Sequence, residues 1–390
     1  MAAEQLVRQF QEHEKKNAWV DLFREIDRLS TKQEKDLGLK TEVARAWVNV
    51  EKNRYRNVLT YDNSRVTLKR VRSGASNYIN ASPLKVAEAG RRYIMTQGPL
   101  ASTCNDFWQM IWEQKSSLIV MLNRIFEKNS IKCHAYFPTE DNPVTEFETF
   151  TVSLKTEEHF THFVVRTLEV QQKETSESYE SSSDQENSSS SSDSSETDYS
   201  DESARTVFHF QFTSWPDFGV PACSHVFLEF LFRVRSTGLL RESPPTVVHC
   251  SAGIGRSGAF VVVDSILAMV EHNEDSIDMI ELILRLRRSR MGLIQTSQQL
   301  QFCWRSVATA LLGGDKGDCN CDTEPSEWFN VIPSIRSLQE TQRSKNEDEP
   351  SVVEEGRTAG SEGRRRPLED SPEQPEEAKR AKRFEYFIFV

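Results

Sequence analysis

The chain has 390 residues, with 48 Lys and Arg against 59 Asp and Glu and a formal net charge of −11, which is not the balance of a nucleic-acid binder. Hydrophobic residues make up 37% of it, leaner than a fully globular chain, so part of it is expected to remain disordered. No window approaches the run of about 20 apolar residues that spans a bilayer, and the N-terminal MAAEQLVRQFQEHEKK is charged where a secretory leader needs an apolar stretch.

Apolar positions at helical spacing predict helices over Glu4–Lys16, Trp19–Leu29, Asn105–Lys115, Ser224–Thr237, Gly258–Glu271, Ser276–Arg288 and Ser297–Leu311. Strand-like runs fall at Tyr93–Thr96, Ser117–Leu122 and Thr246–His249. Such mixing predicts an α/β domain. Residues 174–203 hold 14 Ser and 10 acidic residues with no Lys or Arg. They offer too little apolar surface to offset the entropy of ordering, and read as a disordered acidic insertion. The flanks favour strands: Phe160–Val170 is rich in β-branched and aromatic residues, and Thr206, Phe208, Phe210 and Phe212 alternate with Val207, His209 and Gln211. The insertion is therefore expected at a hairpin tip. From Gly313 onward the sequence loses all period, so a catalytic unit over 1–312 and a disordered tail over 313–390 are expected. The 7 cysteines are odd in number and scattered, which fits a reducing compartment better than a disulfide framework.

The densest chemical signal is Thr246-Val247-Val248-His249-Cys250-Ser251-Ala252-Gly253-Ile254-Gly255-Arg256-Ser257-Gly258. A short apolar strand runs into a Gly-rich loop and then a helix, whose N–H groups make a ready anion cradle. Gly253-x-Gly255-x-x-Gly258 formally matches a dinucleotide fingerprint, but no βαβ start precedes it and Arg256 adds bulk to the turn. A Walker loop needs a Gly-Lys-Ser/Thr that is missing. The remaining reading is Cys-x5-Arg: Cys250 as a thiolate nucleophile on the floor of the cradle, and Arg256 binding two phosphate oxygens bidentately.

This string, with Asn53-Arg54-Tyr55-Arg56, Asn77-Tyr78-Ile79-Asn80-Ala81, Thr96-Gln97-Gly98-Pro99, Trp215-Pro216-Asp217-Phe218-Gly219-Val220-Pro221 and Gln295-Thr296-x-x-Gln299, resembles the non-receptor protein tyrosine phosphatases over roughly residues 20–311. Met121-Leu122-Asn123-Arg124, Glu127-Lys128 and Arg290-Met291-Gly292-Leu293-Ile294-Gln295 are similar to the subfamily of T-cell phosphatase and phosphatase one-B. The resemblance implies a single domain with a twisted mixed β-sheet flanked by helices, and a hydrolase of phosphotyrosine in proteins working without metal or cofactor through a cysteinyl-phosphate.

It also implies roles. Cys250 attacks phosphorus, Arg256 and the amides of Ser251, Ala252, Gly253, Ile254 and Gly255 hold the phosphoryl oxygens, and His249 supports the loop. Asp217 is the general acid, on a loop with Trp215 and Phe218 that closes over substrate. Gln295, with Gln299 behind it, places the hydrolytic water, and Ser257 stabilises the departing thiolate. Tyr55 stacks on the substrate ring. Glu127 holds Arg256, and Lys132 contacts the open position of Asp217.

Two departures bear on substrates. Asn57 stands where the family usually has an Asp that grips the peptide backbone, which removes charge assistance. Glu25-Ile26-Asp27-Arg28 puts an acid where phosphatase one-B has part of a second phosphate site, so that site is not expected here, although Arg287 is present. In the tail, Arg364-Arg365-Arg366 and Lys379-Arg380-Ala381-Lys382-Arg383 flank Pro367–Ala378, a spacing that resembles a bipartite signal for a nuclear import receptor. A protein shared between cytoplasm and nucleus is expected, since the apolar 384–390 are too few for a membrane span. The rival from another class is a catalytically silent phosphotyrosine-binding scaffold; within enzymes, Tyr55 and the Trp-Pro-Asp loop disfavour a dual-specificity phosphatase.

Overall fold

The computed structural model describes residues 2–69, 75–173, 204–217 and 219–313. The helices are α1 (Ala2–Lys16), α2 (Trp19–Asp36), α3 (Glu42–Arg45), α4 (Cys104–Glu113), α5 (Ser224–Arg235), α6 (Arg256–Glu271), α7 (Met279–Arg287) and α8 (Ser297–Leu311). The strands are β1 (Ala81–Val86), β2 (Arg91–Thr96), β3 (Leu118–Met121), β4 (Phe126–Glu127), β5 (Ser130–Ile131), β6 (Val144–Glu146), β7 (Phe150–His159), β8 (Phe163–Gln172), β9 (Ala204–Phe212) and β10 (Thr246–His249).

Strands β3 and β10 are buried at every position, the pattern of strands covered on both faces. They accordingly lie inside an 8-stranded sheet of order β1-β2-β10-β3-β9-β8-β7-β6. The centre is parallel, β10 pairing with β2 and β3, and β3 with β9, while the flanks are antiparallel. Side chains alternate between two cores. Val248, Val120 and Tyr93 join one with α5, α6, α7 and α8, and Val247, Ile119 and Ile94 join the other with Phe107 and Trp108 of α4. Helix α6 is buried continuously from Ser257 to Val270, so it runs through the core rather than over it.

Helix α2 runs to Asp36, past the expected end at Leu29. Its last turns are polar and solvated, so apolar period could not reveal them. Strands β1 and β7 went unanticipated for a related reason: only one face of each is covered in part, with burial alternating as at Phe150 and Val152. Gln171 pairs with Ala204 across antiparallel β8 and β9, so the strands that flank the acidic segment stand side by side. The segment itself, and the tail with its basic clusters, lie outside the described residues. Among the described residues no helix is long and apolar enough to cross a membrane.

Candidate active site

Strand β10 delivers Cys250 to the C-terminal end of the parallel strands, and α6 begins at Arg256. This is where open α/β sheets place their ligands. Every carbonyl of the intervening loop is tied outward. Cys250 O meets His249 Nδ1 at 3.2 Å, and Ser251 O accepts from Gly98 N–H at 2.9 Å. Ala252 O and Gly253 O accept from Arg290 Nη2 and Nε at 3.0 and 3.3 Å. Ile254 O accepts from Ile294 N–H at 3.0 Å and Gly255 O from Ala259 N–H at 3.0 Å. With the oxygens satisfied on the outside, the N–H groups are left for the interior. Gly253 N–H already donates to Cys250 Sγ at 3.3 Å.

Gly253 is required by contact. A Cβ on Gly253, at φ +70°, would stand 2.0 Å from Thr96 O. One on Gly255 would meet Gln295 Oε1 at 2.6 Å and Gln299 Nε2 at 2.9 Å. Those clashes also locate Gln295 and Gln299 against the loop. Gln295 follows Ile294, a β-branched residue at φ +64°, a conformation that surrounding structure must impose. Gln299 Oε1 accepts from Gln295 N–H at 2.8 Å, and Thr296 Oγ caps α8 on Gln299 N–H at 3.1 Å. The Ser257 hydroxyl is buried under the loop with no hydrogen-bond partner among the described residues.

Arg256 is set by the β4–β5 hairpin, whose Lys128-Asn129 turn has both residues at positive φ. Glu127, 3% exposed at its side chain, accepts from Arg256 Nη1 and Nη2 at 2.7 and 2.9 Å. Leu122 O and Pro216 O accept from the same guanidinium at 3.2 and 3.4 Å. Trp215 lies beneath it, 5.8 Å from ring centroid to Arg256 Cζ. The Trp215 indole N–H donates to Gly219 O at 3.2 Å, across the turn that carries Asp217.

Asp217 is met by Arg124, at 3.2 Å. The expectation named Lys132 for that contact. Lys132 instead contributes its carbonyl, which accepts from Ser251 Oγ at 3.0 Å. Both Arg124 and Asp217 are partly exposed, 50% and 35% at the side chain, so the pair is weak and can be broken. Phe218 lies outside the described residues.

Tyr55 stands as a wall beside the loop, its hydroxyl 2.8 Å from Ser251 Oγ. Its neighbour Arg54 is pinned on several sides: N–H to Gln97 Oε1 at 2.8 Å, Nε to Gly98 O at 2.9 Å and Nη2 to Pro99 O at 2.8 Å. Asn57 is exposed on the rim. Arg287 donates to Leu293 O, Ile294 O and the Asp27 carboxylate at 2.8, 2.8 and 2.6 Å, so its guanidinium is taken up inside the protein.

Beneath the cradle lies a buried polar chain. Arg166 Nη1, His209, Tyr136 OH and His249 follow one another at 3.4, 2.9 and 2.7 Å and end on Cys250 O. Burial pushes the His249 imidazole down to about 4 and His209 well below the usual range. Neutral rings then fix the tautomers: each member donates toward Cys250 O. Arg290, wholly buried, is lowered to about 10 by desolvation. Neither Arg290, Arg54, Arg124, Tyr136 nor His209 carried a role in the sequence reading.

Burial raises the other thiols, Cys104 to about 12 and Cys133 and Cys303 further. These three are inert as nucleophiles.

A family model described as protein-tyrosine phosphatase matches residues 49–309. Tyrosine-protein phosphatase non-receptor type 2 of Mus musculus is 40% identical over 315 residues, covering 80% of this chain and 68% of that protein. The Homo sapiens protein of the same name is 40% identical over 302 residues, covering 77% and 64%. Tyrosine-protein phosphatase non-receptor type 61F of Drosophila melanogaster is 38% identical over 295 residues, covering 74% and 48%. The chain thus spans about two thirds of the length of the type 2 relatives and about half of the fly one. Matched by the family model across the cradle, the Asp217 loop and the Tyr55 wall, this chain belongs to the protein-tyrosine phosphatase family.

Proposed function

We propose that this chain hydrolyses phosphotyrosine in proteins through a cysteinyl-phosphate intermediate. The observation that carries the reading is Cys250 Sγ within 3.3 Å of Gly253 N–H, inside a loop whose carbonyls all bond outward.

The Cys250 thiolate attacks phosphorus, forming the S–P bond as the bond to the tyrosyl oxygen breaks. Asp217 donates its proton to that oxygen. Arg256, oriented by Glu127, and the loop amides balance the charge on the equatorial oxygens. Gln295 orients a water, Asp217 takes its proton, and the thiolate departs with the Ser257 hydroxyl donating to it. Tyr55 makes the pocket deep enough to leave phosphoserine short of Cys250. The basic clusters at 364–366 and 379–383 support nuclear import, hence a protein shared between cytoplasm and nucleus.

The test is turnover of phosphotyrosine and phosphoserine peptides with a chelator present. Cys250→Ser should abolish turnover and keep phosphopeptide binding, and Asp217→Ala should lower it about 10²- to 10⁴-fold. Turnover of the phosphotyrosine peptide by Cys250→Ser would refute the mechanism. Retention of a fluorescent fusion in the cytoplasm on Lys379→Ala/Arg380→Ala would support the import reading, and unchanged nuclear signal would end it.

A further inference from the structure

The loop that carries Asp217 leaves β9 at Phe212 and is fastened at its start by a residue from elsewhere in the sheet. His162 sits in the turn between β7 and β8. Its carbonyl accepts from Thr213 N–H at 2.9 Å, and its ring Nδ1 lies 2.9 Å from Ser214 Oγ. Ser214 is the residue before Trp215.

The turn presenting His162 is itself packed on the sheet and on α5. Phe160 and Phe163 stack with centroids 4.6 Å apart, and Phe163 pairs with Phe212 across the strands. Phe163 also packs on Phe230 of α5 at 5.6 Å. Beyond Ser214 the chain is anchored again, since Trp215 packs against Phe227 and Phe302 at 6.0 and 5.4 Å. The far end of the loop is tied by Arg305 Nη2 to Pro221 O at 2.9 Å. Between Thr213 and Trp215 the chain is also held by the polar side-chain contact of Ser214 with His162. It fixes the direction in which the chain leaves β9, and with it the place where Asp217 can stand relative to the leaving oxygen.

We propose that His162 is a positioning residue for the general acid, acting through Ser214. The proposal rests on the reading of Asp217 as the acid. A misplacement of about 1 Å degrades proton transfer, and it does so only when the leaving group needs the proton. A tyrosyl oxygen does; the oxygen of a strongly acidic phenol does not.

The experiment measures kcat/KM for the full chain with a phosphotyrosine peptide and with an aryl phosphate of an acidic phenol. His162→Ala and Ser214→Ala should each lower the peptide value about 2- to 10-fold, the effect of one neutral hydrogen bond, and change the aryl phosphate value by less than about twofold. The double variant should fall no further than either single one, because both remove the same contact. His162→Asn, whose amide reaches where Nδ1 does, should restore most of the loss. Asp217→Ala, run alongside, must show the same leaving-group dependence; if it shows none, the acid assignment fails and this proposal with it. If Asp217→Ala shows it and the His162 and Ser214 variants lose equally on both substrates, or lose nothing, His162 only supports the fold and the proposal is overturned.

Discussion

Glu127→Gln isolates the part of catalysis that depends on how Arg256 is held. The Glu127 carboxylate accepts from both Arg256 Nη atoms, at 2.7 and 2.9 Å, and from Arg124 N–H at 2.9 Å. Its side chain is 3% exposed and that of Arg256 is 16%, so solvent screens the pair little. An amide keeps the shape but turns one acceptor into a donor. One of the three bonds must be lost, and an NH₂ facing a guanidinium N–H adds repulsion. A hydrogen bond to a charged group contributes about 1.5–3 kcal/mol, and each 1.4 kcal/mol is about tenfold in rate. If that orientation is used in the transition state, kcat should fall about 10- to 100-fold. The carbonyls of Leu122 and Pro216 still hold the guanidinium in part, at 3.2 and 3.4 Å, which keeps the loss below that of removing Arg256. KM should change little or fall, since the freed positive charge still attracts phosphate. The assay is steady-state turnover of a phosphotyrosine peptide with thermal unfolding of the same sample. A kcat within twofold of wild type in a folded Glu127→Gln protein would refute the claim that this pair orients the catalytic guanidinium.

Gly253→Ala should disrupt the cradle, since its Cβ would stand 2.0 Å from Thr96 O at φ +70°. The backbone strain alone costs about 1–3 kcal/mol, so both melting temperature and turnover should drop, and wild-type values for both would contradict the geometry. His249 has its pKa lowered to about 4 from 6.5. The unfolded state therefore binds the extra proton between those values, and stability present above pH 6.5 is lost as pH falls toward 4. Its imidazole resonances should keep neutral-ring shifts at pH 5.5, and a protonated ring in the native protein at that pH would overturn the assignment of donors along the chain. Mild peroxide should inactivate reversibly by oxidising Cys250 ahead of Cys104, Cys133 and Cys303, whose thiols burial raises. Mass spectrometry finding Cys250 still reduced after inactivation would reject that order.

What the sequence determined by itself was the local machinery. Thr246 through Gly258 is one strand, one loop and one helix start in succession, so the order of residues along the chain is also their order in space. The glycine positions, the outlet of β10 and the N-terminal turn of α6 follow from short-range sterics and are written in consecutive letters. The fully buried strands β3 and β10 were legible as short continuous apolar runs, and helices such as α8 by an apolar face at helical spacing. Which distant side chain completes each local need is set by the packing of the whole domain. The outward carbonyls of Ala252 and Gly253 require a donor, and nothing in the loop says that it is Arg290. The Asp217 carboxylate has Arg124, Lys128 and Lys132 in the same hairpin region. Arg124 meets it, while Lys132 gives its carbonyl to Ser251. Likewise His249, Tyr136 and His209 belong to three separate strands and loops that join only when β10, β3 and β9 stand side by side. A hydrogen bond is decided at the scale of a few tenths of an ångström, and that scale is set by the register and packing of the whole sheet rather than by any stretch of sequence.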